Sequence, residues 1–415
     1  ILSGLVGSEM CIRDSLRIAR PLMAAKPSPS IAAKARVDAL RAEGREIVDF
    51  TVGEPDFQTP AHIVEAGKRA LDEGQTKYTS SLGTPALRKA VAAKLLRENG
   101  LSYDVQDVIV GVGAKNLIFN ALAATLEAGD EVIVPAPCWV SYPDMVTLNG
   151  GTPVIVDCPE SQGFKLAPEA LEQAITANTR WLVLNTPGNP TGAVYTAGEL
   201  EALARVLDAH PQVWVLTDEI YEHFVYDEGR HRSILTVAPG LKARTLLING
   251  VSKAYAMTGW RIGYAAGPRE LMKVLALLAT QTMTCASAMS QAAAVAALDG
   301  DQACVRSAAA LFQSRRDLMI RRLQATDGIA CQSPAGAFYV FANVQGLLGK
   351  RRPDTGAVLQ SDVDVSAYLL DRASVATIDG QSYGMSPYLR LSFATSTEQI
   401  ERGCQALRAA VSELQ

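Results

Sequence analysis

The sequence predicts an α/β protein with two domains: a large domain on a mostly parallel, helix-wrapped sheet, and a smaller α+β domain built from both ends of the chain. The first observation is the length, since 415 residues exceed the size of most single domains. The second is that short apolar runs alternate with helical patterns through the middle of the chain, as in parallel strands joined by crossover helices. The third is a change of pattern after about residue 300, to one long helix followed by separated strands.

Short apolar runs bounded by turn residues predict the strands of the large sheet, at 108–110, 131–134, 153–156, 181–184, 213–216, 245–248 and 262–266. Helices are predicted over 31–43 and 61–73, from the turn at 111–116 through 126, and over 305–324. Further strands are predicted at 47–51, 336–341 and 388–393. We therefore assign 16–55 and 316–415 to the small domain and 56–315 to the large domain.

The first residues resemble an artefact. Met10–Ser15 reads like the translation of a transposon end used in sequencing libraries, and residues 1–15 show no periodicity. They also lack the long apolar core and the small-residue cleavage site of a signal peptide. We expect a non-native leader at 1–15, a sequencing artefact, with the natural start near Leu16 or Met23.

Charge and composition exclude several classes of partner. A net charge of −4 gives no basis for binding nucleic acid or an anionic membrane surface. No apolar run approaches the roughly 18 residues that a membrane span needs. The seven cysteines are scattered and the four histidines show no ligand spacing, so we predict neither a disulfide framework nor a metal site, and a cytoplasmic location.

Polar residues of interest follow the predicted parallel strands, where ligands bind in sheets of this kind. They are Trp139, Asn189, Asp218, Tyr221 and Lys253. Each has a plain structural alternative when taken alone. Asn189 lies in a Gly-Asn-Pro-Thr-Gly turn, Asp218 could cap the next helix, and most loop lysines are solvated and inert.

The turn at 111–116 predicts an anion site. A strand, a small-residue turn and a helix start aim backbone N–H groups and the helix dipole at one point. A dinucleotide-binding fingerprint is excluded, because the third glycine of that motif would fall at Asn116. A phosphate cradle needs only the backbone of Gly113, Ala114 and Lys115.

Three segments in the same order resemble class I aminotransferases, which bind pyridoxal 5'-phosphate (PLP). They are Asn-Pro-Thr-Gly at 189–192, Asp-Glu-Ile-Tyr at 218–221, and Ser252-Lys253 followed by Met-Thr-Gly-Trp-Arg-Ile-Gly at 257–263. The resemblance extends from about Lys26 to Ala410 and is strongest to the aspartate aminotransferase subgroup with a lysine on the phosphate turn. One departure is Gly250, where some branches have a serine that contacts phosphate.

The resemblance implies a role for each candidate residue. Lys253 would form a Schiff base with PLP and act as general base, and Asp218 would pair with the pyridine nitrogen. Phosphate would be held by Arg261 and by the Gly113, Ala114 and Lys115 turn. Tyr78 would reach the phosphate of a neighbouring subunit, so a homodimer is implied. The other implied cofactor contacts are Trp139 on the ring face, with Asn189 and Tyr221 on the ring hydroxyl.

Arg390 would clamp the α-carboxylate of the substrate, Lys115 would bind the distal carboxylate, and Gly53, Trp139 and Asn189 would line the substrate site. The predicted reaction is transamination between aspartate and 2-oxoglutarate, with an aromatic or prephenate-type acceptor as a broader range. Two alternatives stay open: a PLP-dependent lyase on the same fold, and a non-enzymatic regulator. For the regulator, the sequence shows no basic patch, and the segment before Gly53 leaves no room for a helix-turn-helix DNA-binding module.

Overall fold

The computed structural model describes residues 18–24 and 29–415. The predicted leader at 1–15 and the possible start at Leu16 lie outside the described residues, whereas Met23 lies in a short helix, Arg20–Ala24. None of the helices in the described part of the chain is long and apolar enough to cross a membrane.

A seven-stranded sheet forms the centre of the large domain. Its strands are β2 (Val108–Gly111), β3 (Glu131–Ala136), β4 (Thr152–Asp157), β5 (Thr179–Asn185), β6 (Trp214–Asp218), β7 (Thr245–Gly250) and β8 (Gly263–Ala266). They lie in the order β2-β8-β7-β6-β5-β3-β4, and β8 runs antiparallel to both of its neighbours while the other pairs are parallel. This arrangement confirms the predicted mostly parallel sheet, and every predicted strand is present.

Helices cover both faces of this sheet. Alternate residues of β5 enter two different apolar clusters, Leu182 and Leu184 in one and Trp181 and Val183 in the other, as expected when successive side chains point to opposite faces. The longer helices of the described chain are Pro29–Ala42, Ala61–Asp72, Pro85–Asn99, Ala114–Thr125, Ser141–Leu148, Pro168–Ala174, Ala197–Ala209, Arg269–Thr282, Ala288–Asp299, Ala303–Gln324, Asp362–Ala373 and Thr397–Ser412.

Local sequence sets several of these boundaries. Thr196 and Glu199 form a reciprocal capping box at the start of Ala197–Ala209. Thr84 caps Pro85–Asn99, where proline occupies the first turn, and Gly100 ends that helix in the left-handed conformation.

The small domain joins both ends of the chain. The strand β1 (Val48–Asp49) pairs in parallel with β10 (Val375–Ala376), and β9 (Tyr339–Asn343), β12 (Tyr388–Ser392) and β11 (Ile378–Asp379) form an antiparallel sheet. The strand predicted at 336–341 begins three residues later than expected. The reason is that Gly336 and Ala337 donate their N–H groups to the carbonyls of Gly192 and Phe224, which follow β5 and β6 of the large sheet. Ala337 also has a positive φ of 54°.

The predicted domain limits stay a prediction. The apolar clusters show that the large sheet and the small sheet are packed closely together. The boundary at 315/316 falls inside the helix Ala303–Gln324. The apolar cluster beneath the small sheet also includes Ile220, Tyr221 and Phe224, which follow β6 of the large sheet. The segment after β6 is therefore packed against the small domain.

Candidate active site

A cleft of about 530 Å³ lies at the carboxyl ends of the parallel strands, between the large sheet and β12 of the small one. Ten of the predicted site residues line it: Gly53, Ala114, Lys115, Trp139, Asn189, Asp218, Tyr221, Lys253, Arg261 and Arg390. The two exceptions are Gly113, which lies against the side chain of Arg261, and Tyr78, which is 87% exposed and is not part of the lining.

Lys253 stands at the floor of the cleft, three residues beyond the end of β7. Its Nζ donates a hydrogen bond to the Gly53 carbonyl at 2.7 Å. Burial lowers the pKa of Lys253 to about 8, against the opposing charges of Glu54 and Asp218. An amine with this pKa is about one-tenth unprotonated at pH 7, far more than an ordinary lysine, and only the unprotonated form acts as a nucleophile or base.

Asp218 is the last residue of β6 and is only 4% exposed. The Tyr142 hydroxyl donates to Oδ2 at 2.7 Å, and the Ile220 backbone N–H donates to Oδ1 at 3.2 Å. Burial raises the pKa of Asp218 to about 6, although both hydrogen bonds act to lower it. A carboxylate in this environment gains strongly from an opposite charge placed beside it.

Arg390 is buried in the middle of β12. Its Nη2 donates to the Thr51 carbonyl at 2.6 Å and its Nη1 donates to Oδ1 of Asn189 at 3.3 Å, while the guanidinium lies 4.4 Å from the ring centroid of Tyr339. Nε of Arg390 is buried without a hydrogen-bond partner in the part of the chain that the structure describes. The Tyr339 hydroxyl in turn lies 2.9 Å from the hydroxyl of Tyr221.

The turn before the helix Ala114–Thr125 forms a cradle against Arg261. Gly113 has a φ of 103°, and a Cβ built there would lie 2.5 Å from Nη2 of Arg261. The guanidinium is held by the Thr258 carbonyl at 2.8 Å and the Val112 carbonyl at 3.2 Å. A helix N-terminus with an arginine beside it is a site for an anion.

Lys115 extends from the same turn over the ring of Trp139, with Nζ 4.6 Å from the ring centroid. Its Nζ also donates to Oγ of Ser141 at 3.1 Å. Burial and the nearby Arg261 lower the pKa of Lys115.

Gly250, the departure from the family pattern noted in the sequence, lies where two strands pack closely. Gly250 pairs with Gly263 across β7 and β8. A Cβ at Gly250 would lie 3.1 Å from the Ile262 carbonyl oxygen and 3.2 Å from Cα of Gly263. A side chain at this position would therefore require β7 and β8 to adjust by a few tenths of an ångström.

The residues of the cleft fit PLP. The aldehyde needs an amine, the ring nitrogen needs an acid, and the phosphate needs a cation beside free N–H donors. Lys253, Asp218 and the Arg261 cradle supply one group of each kind in a single cleft. The unpaired Nε of buried Arg390 leaves a donor for a carboxylate.

The chain matches the family model "Aminotransferase class I and II" over residues 45–407. It belongs to this family. An aspartate aminotransferase of Rhizobium meliloti is 48% identical over 380 residues, covering 92% of each chain. An aspartate/prephenate aminotransferase of Cereibacter sphaeroides is 47% identical, covering 92% of this chain and 96% of the relative.

Solved structures agree with this assignment. The crystal structure of the Rhizobium meliloti aspartate aminotransferase superposes with a TM-score of 0.94 at 46% identity, over 97% of this chain and 100% of that one. The Thermus thermophilus enzyme with maleate gives a TM-score of 0.89 at 41% identity, over 95% and 100% of the two chains. These findings confirm the predicted family, the PLP cofactor and the transaminase activity, and they do not favour the lyase alternative.

The cleft lining also includes residues that the sequence analysis did not assign to the site, among them Tyr142, Tyr339, Thr51 and Glu54. Tyr142 carried the best signal, since it lies three residues after Trp139 at the start of the helix Ser141–Leu148. The other three contribute through contacts with distant segments, for which a single sequence holds no signal.

Proposed function

We propose that this aminotransferase exchanges the amino group of aspartate with 2-oxoglutarate. The observation that carries the proposal is the buried Arg390 with its unpaired Nε, in a cleft that also contains Lys115. Two separate cations suit a substrate with two carboxylates. Relatives named aspartate aminotransferase at 48% identity support the same substrate.

The roles of the residues around the cofactor follow from their chemistry. When bound, PLP supplies an aldehyde that an amine can capture and a ring that withdraws electrons. Lys253 would anchor the aldehyde, and its Nζ, once free, would take the proton from the substrate Cα and return it.

Asp218 would hold a proton on the ring nitrogen. An opposite charge about 4 Å away contributes on the order of 4 kcal/mol at an effective dielectric near 20, about three pKa units of proton affinity. The hydrogen bond from Tyr142 keeps the carboxylate oriented. Arg261 and the turn at Gly113, Ala114 and Lys115 would hold the phosphate.

The remaining residues of the proposed site would orient the ring and the substrate. Trp139 would cover one face of the ring, while Tyr221 and Asn189 would donate to its hydroxyl oxygen. Arg390 would grip the α-carboxylate with its planar fork, which a lysine could not match. Lys115 would take the distal carboxylate, with Gly53 beside the substrate.

A second candidate is a broader range that includes prephenate. Its support is the relative from Cereibacter sphaeroides, named aspartate/prephenate aminotransferase. The cleft wall also includes the apolar side chain of Ile31 beside Lys34, which would suit a ring with a carboxylate.

We also propose a homodimer in the cytoplasm. Tyr78 is 87% exposed on its own chain, as a residue that completes a partner's site would be before assembly. All six cysteines in the described part of the chain are free, in keeping with a reducing compartment.

The test is a panel of amino acids offered to the purified, PLP-loaded protein. Aspartate with 2-oxoglutarate should give oxaloacetate and glutamate, with a higher kcat/KM than other amino donors. Lys253→Ala should abolish the bound cofactor's characteristic absorbance and lower transamination by several orders of magnitude. Release of ammonia without formation of glutamate, or normal turnover by Lys253→Ala, would contradict the proposal.

A further inference from the structure

The loop Gly53–Phe57 is fastened to the Lys253 segment at several points. Lys253 Nζ donates to the Gly53 carbonyl at 2.7 Å, and the Thr258 hydroxyl donates to Oε2 of Glu54 at 2.5 Å. A little further along, the Thr59 hydroxyl donates to the Ala256 carbonyl at 2.7 Å. The loop therefore cannot shift without moving the segment that carries the amine.

The loop is also held from the other side. Asp56 accepts two hydrogen bonds from Arg315, at 2.7 and 2.9 Å, and the Arg315 side chain is 8% exposed. Phe57 packs on Phe312 with ring centroids 5.5 Å apart. Both partners belong to the helix Ala303–Gln324, so Glu54 is presented to the cleft on a braced backbone.

The charges of the cleft make Glu54 stand out. Among the described lining residues, five are cationic and three are acidic, the acids being Asp49, Glu54 and Asp218. Asp49 accepts from the Thr51 N–H and hydroxyl, and Asp218 accepts from Tyr142 and Ile220. Glu54 accepts from the Thr258 hydroxyl, so all three acids accept from neutral donors, and Glu54 differs because it directly follows Gly53, whose carbonyl holds Lys253 Nζ.

Lys253 is surrounded by groups of both signs. The charges that act on its amine are Glu54 on the loop before Ala61–Asp72, Asp218 on β6, Arg390 on β12 and Arg261 on its own segment. The Tyr221 ring centroid lies 6.0 Å from Nζ. Two arginines disfavour a proton on Nζ, and Glu54 is the leading charge that favours one. Asp218 acts in the same direction, but in the proposed function it would be paired with the ring nitrogen.

We propose that Glu54 is a positioning residue for the reaction: its carboxylate, fixed by Thr258, stabilises the ammonium that Lys253 forms when it takes the substrate proton. The Gly53 carbonyl accepts a hydrogen bond from the same Nζ at the cleft floor. The loop therefore supplies both the negative charge of Glu54 and a contact that orients the amine. This inference rests on the proposed role of Lys253 as the amine that carries the proton. The other acid of the loop, Asp56, is paired with Arg315 and holds the loop against the helix Ala303–Gln324.

The test is Glu54→Gln, which removes the charge and keeps an acceptor for Thr258. In the full chain dialysed free of PLP, the labelling rate of Lys253 by an amine-selective reagent is followed against pH by peptide mass spectrometry. A nearby opposite charge raises the pKa of an amine, so the variant's labelling curve should move to lower pH by about one unit. At pH 7 the labelling rate should rise about fivefold.

Two further variants separate charge from shape. Glu54→Asp keeps the charge and should return the labelling curve most of the way to that of the parent protein. Glu65→Gln, at an exposed glutamate of the helix Ala61–Asp72 that is paired with Lys68, makes the same charge change away from the cleft and should leave the curve unmoved. Circular dichroism and recovery of the bound-cofactor absorbance on adding PLP check that each variant is folded.

The inference is overturned if Glu54→Gln labels with the parent curve, or if Glu54→Asp and Glu54→Gln move the curve equally. Its failure is distinct from failure of the proposed function. If Lys253→Ala is inactive but the labelling curve of Glu54→Gln is that of the parent protein, only the role of Glu54 is rejected and the proposed function stands.

Discussion

At the scale of single residues, this aminotransferase buries charged groups whose loss of hydration disfavours the folded state. Lys253 is withdrawn from water, and its pKa is lowered to about 8 because the ammonium loses hydration. A buried amine of this kind is useful for chemistry and costly for the fold. The cost should be measurable as a dependence of stability on pH.

The sign follows from proton binding. Unfolded lysine has a pKa of about 10.4, so between about pH 8 and 10.4 the unfolded chain binds more protons and stability rises with pH. Below about pH 8 the amine is protonated in both states, and the full destabilisation from burying its charge is present. Lys253→Met in the PLP-free chain should therefore be more stable than the parent at pH 7, by on the order of 1 to 3 kcal/mol after allowance for partial exposure. The gain should shrink towards pH 10.

Thermal unfolding of both PLP-free proteins at pH 7 and pH 10 checks this expectation. Lys68→Met is the matched control, because Lys68 is exposed on the helix Ala61–Asp72 and its loss relieves no burial. An equal gain from Lys253→Met at the two pH values would show that the methionine acts through packing and not through the charge.

At the scale of elements, the sheet could be predicted because strands buried on both faces read as nearly continuous apolar runs. The polar residues at their ends then defined most of the site. What could not be predicted were contacts between distant segments. The carbonyl of Thr51 that holds Arg390 lies 339 positions away in the chain, and the start of β9 depends on the Gly192 and Phe224 carbonyls.

The turn that begins the helix Ala114–Thr125 gives a prediction at this scale. Gly113→Ala would force a Cβ into Nη2 of Arg261 and strain a backbone with φ of 103°. The displaced guanidinium should weaken PLP binding at least tenfold, about 1.4 kcal/mol, measured by titrating the cofactor spectrum.

Gly129→Ala is its matched control. Gly129 has a similar φ of 97°, but a Cβ there would meet nothing within 4 Å. Gly129→Ala introduces a similar positive-φ strain but no contact with Arg261, so this variant should bind PLP with the affinity of the parent protein. If both variants lose affinity equally, strain is the cause and the cradle geometry is not.

At the scale of the whole molecule, every predicted cofactor contact except Tyr78 either lines the cleft or, as Gly113 does, packs against a residue that lines it. Its walls come from two cores, the helix-wrapped sheet that carries Asp218 and Lys253 and the small sheet that carries Arg390. Tyr78 alone among the predicted cofactor contacts is exposed and outside the lining. In the proposed homodimer Tyr78 would reach the other subunit's site, so sites in mixed dimers should depend on both chains.

The expectation can be tested with two defective variants, Tyr78→Ala and Lys253→Ala. In a mixed dimer, the site with intact Lys253 receives Tyr78 from the other chain and should work normally, while the second site lacks its lysine. Random exchange of equal amounts makes half of the dimers mixed, each with one working site, so activity should approach about a quarter of that of the parent protein.

The readout is transamination before and after subunit exchange, with the dimer fraction followed by gel filtration and the two chains distinguished by mass. Exchange of Lys253→Ala with a chain that carries both substitutions is the control and should restore nothing, since neither chain then supplies the amine. Tyr78 lies outside its own cleft, so in the proposed dimer it would act on the partner's site. Activity that stays at the sum of the two separate variants would mean that Tyr78 serves no neighbouring site.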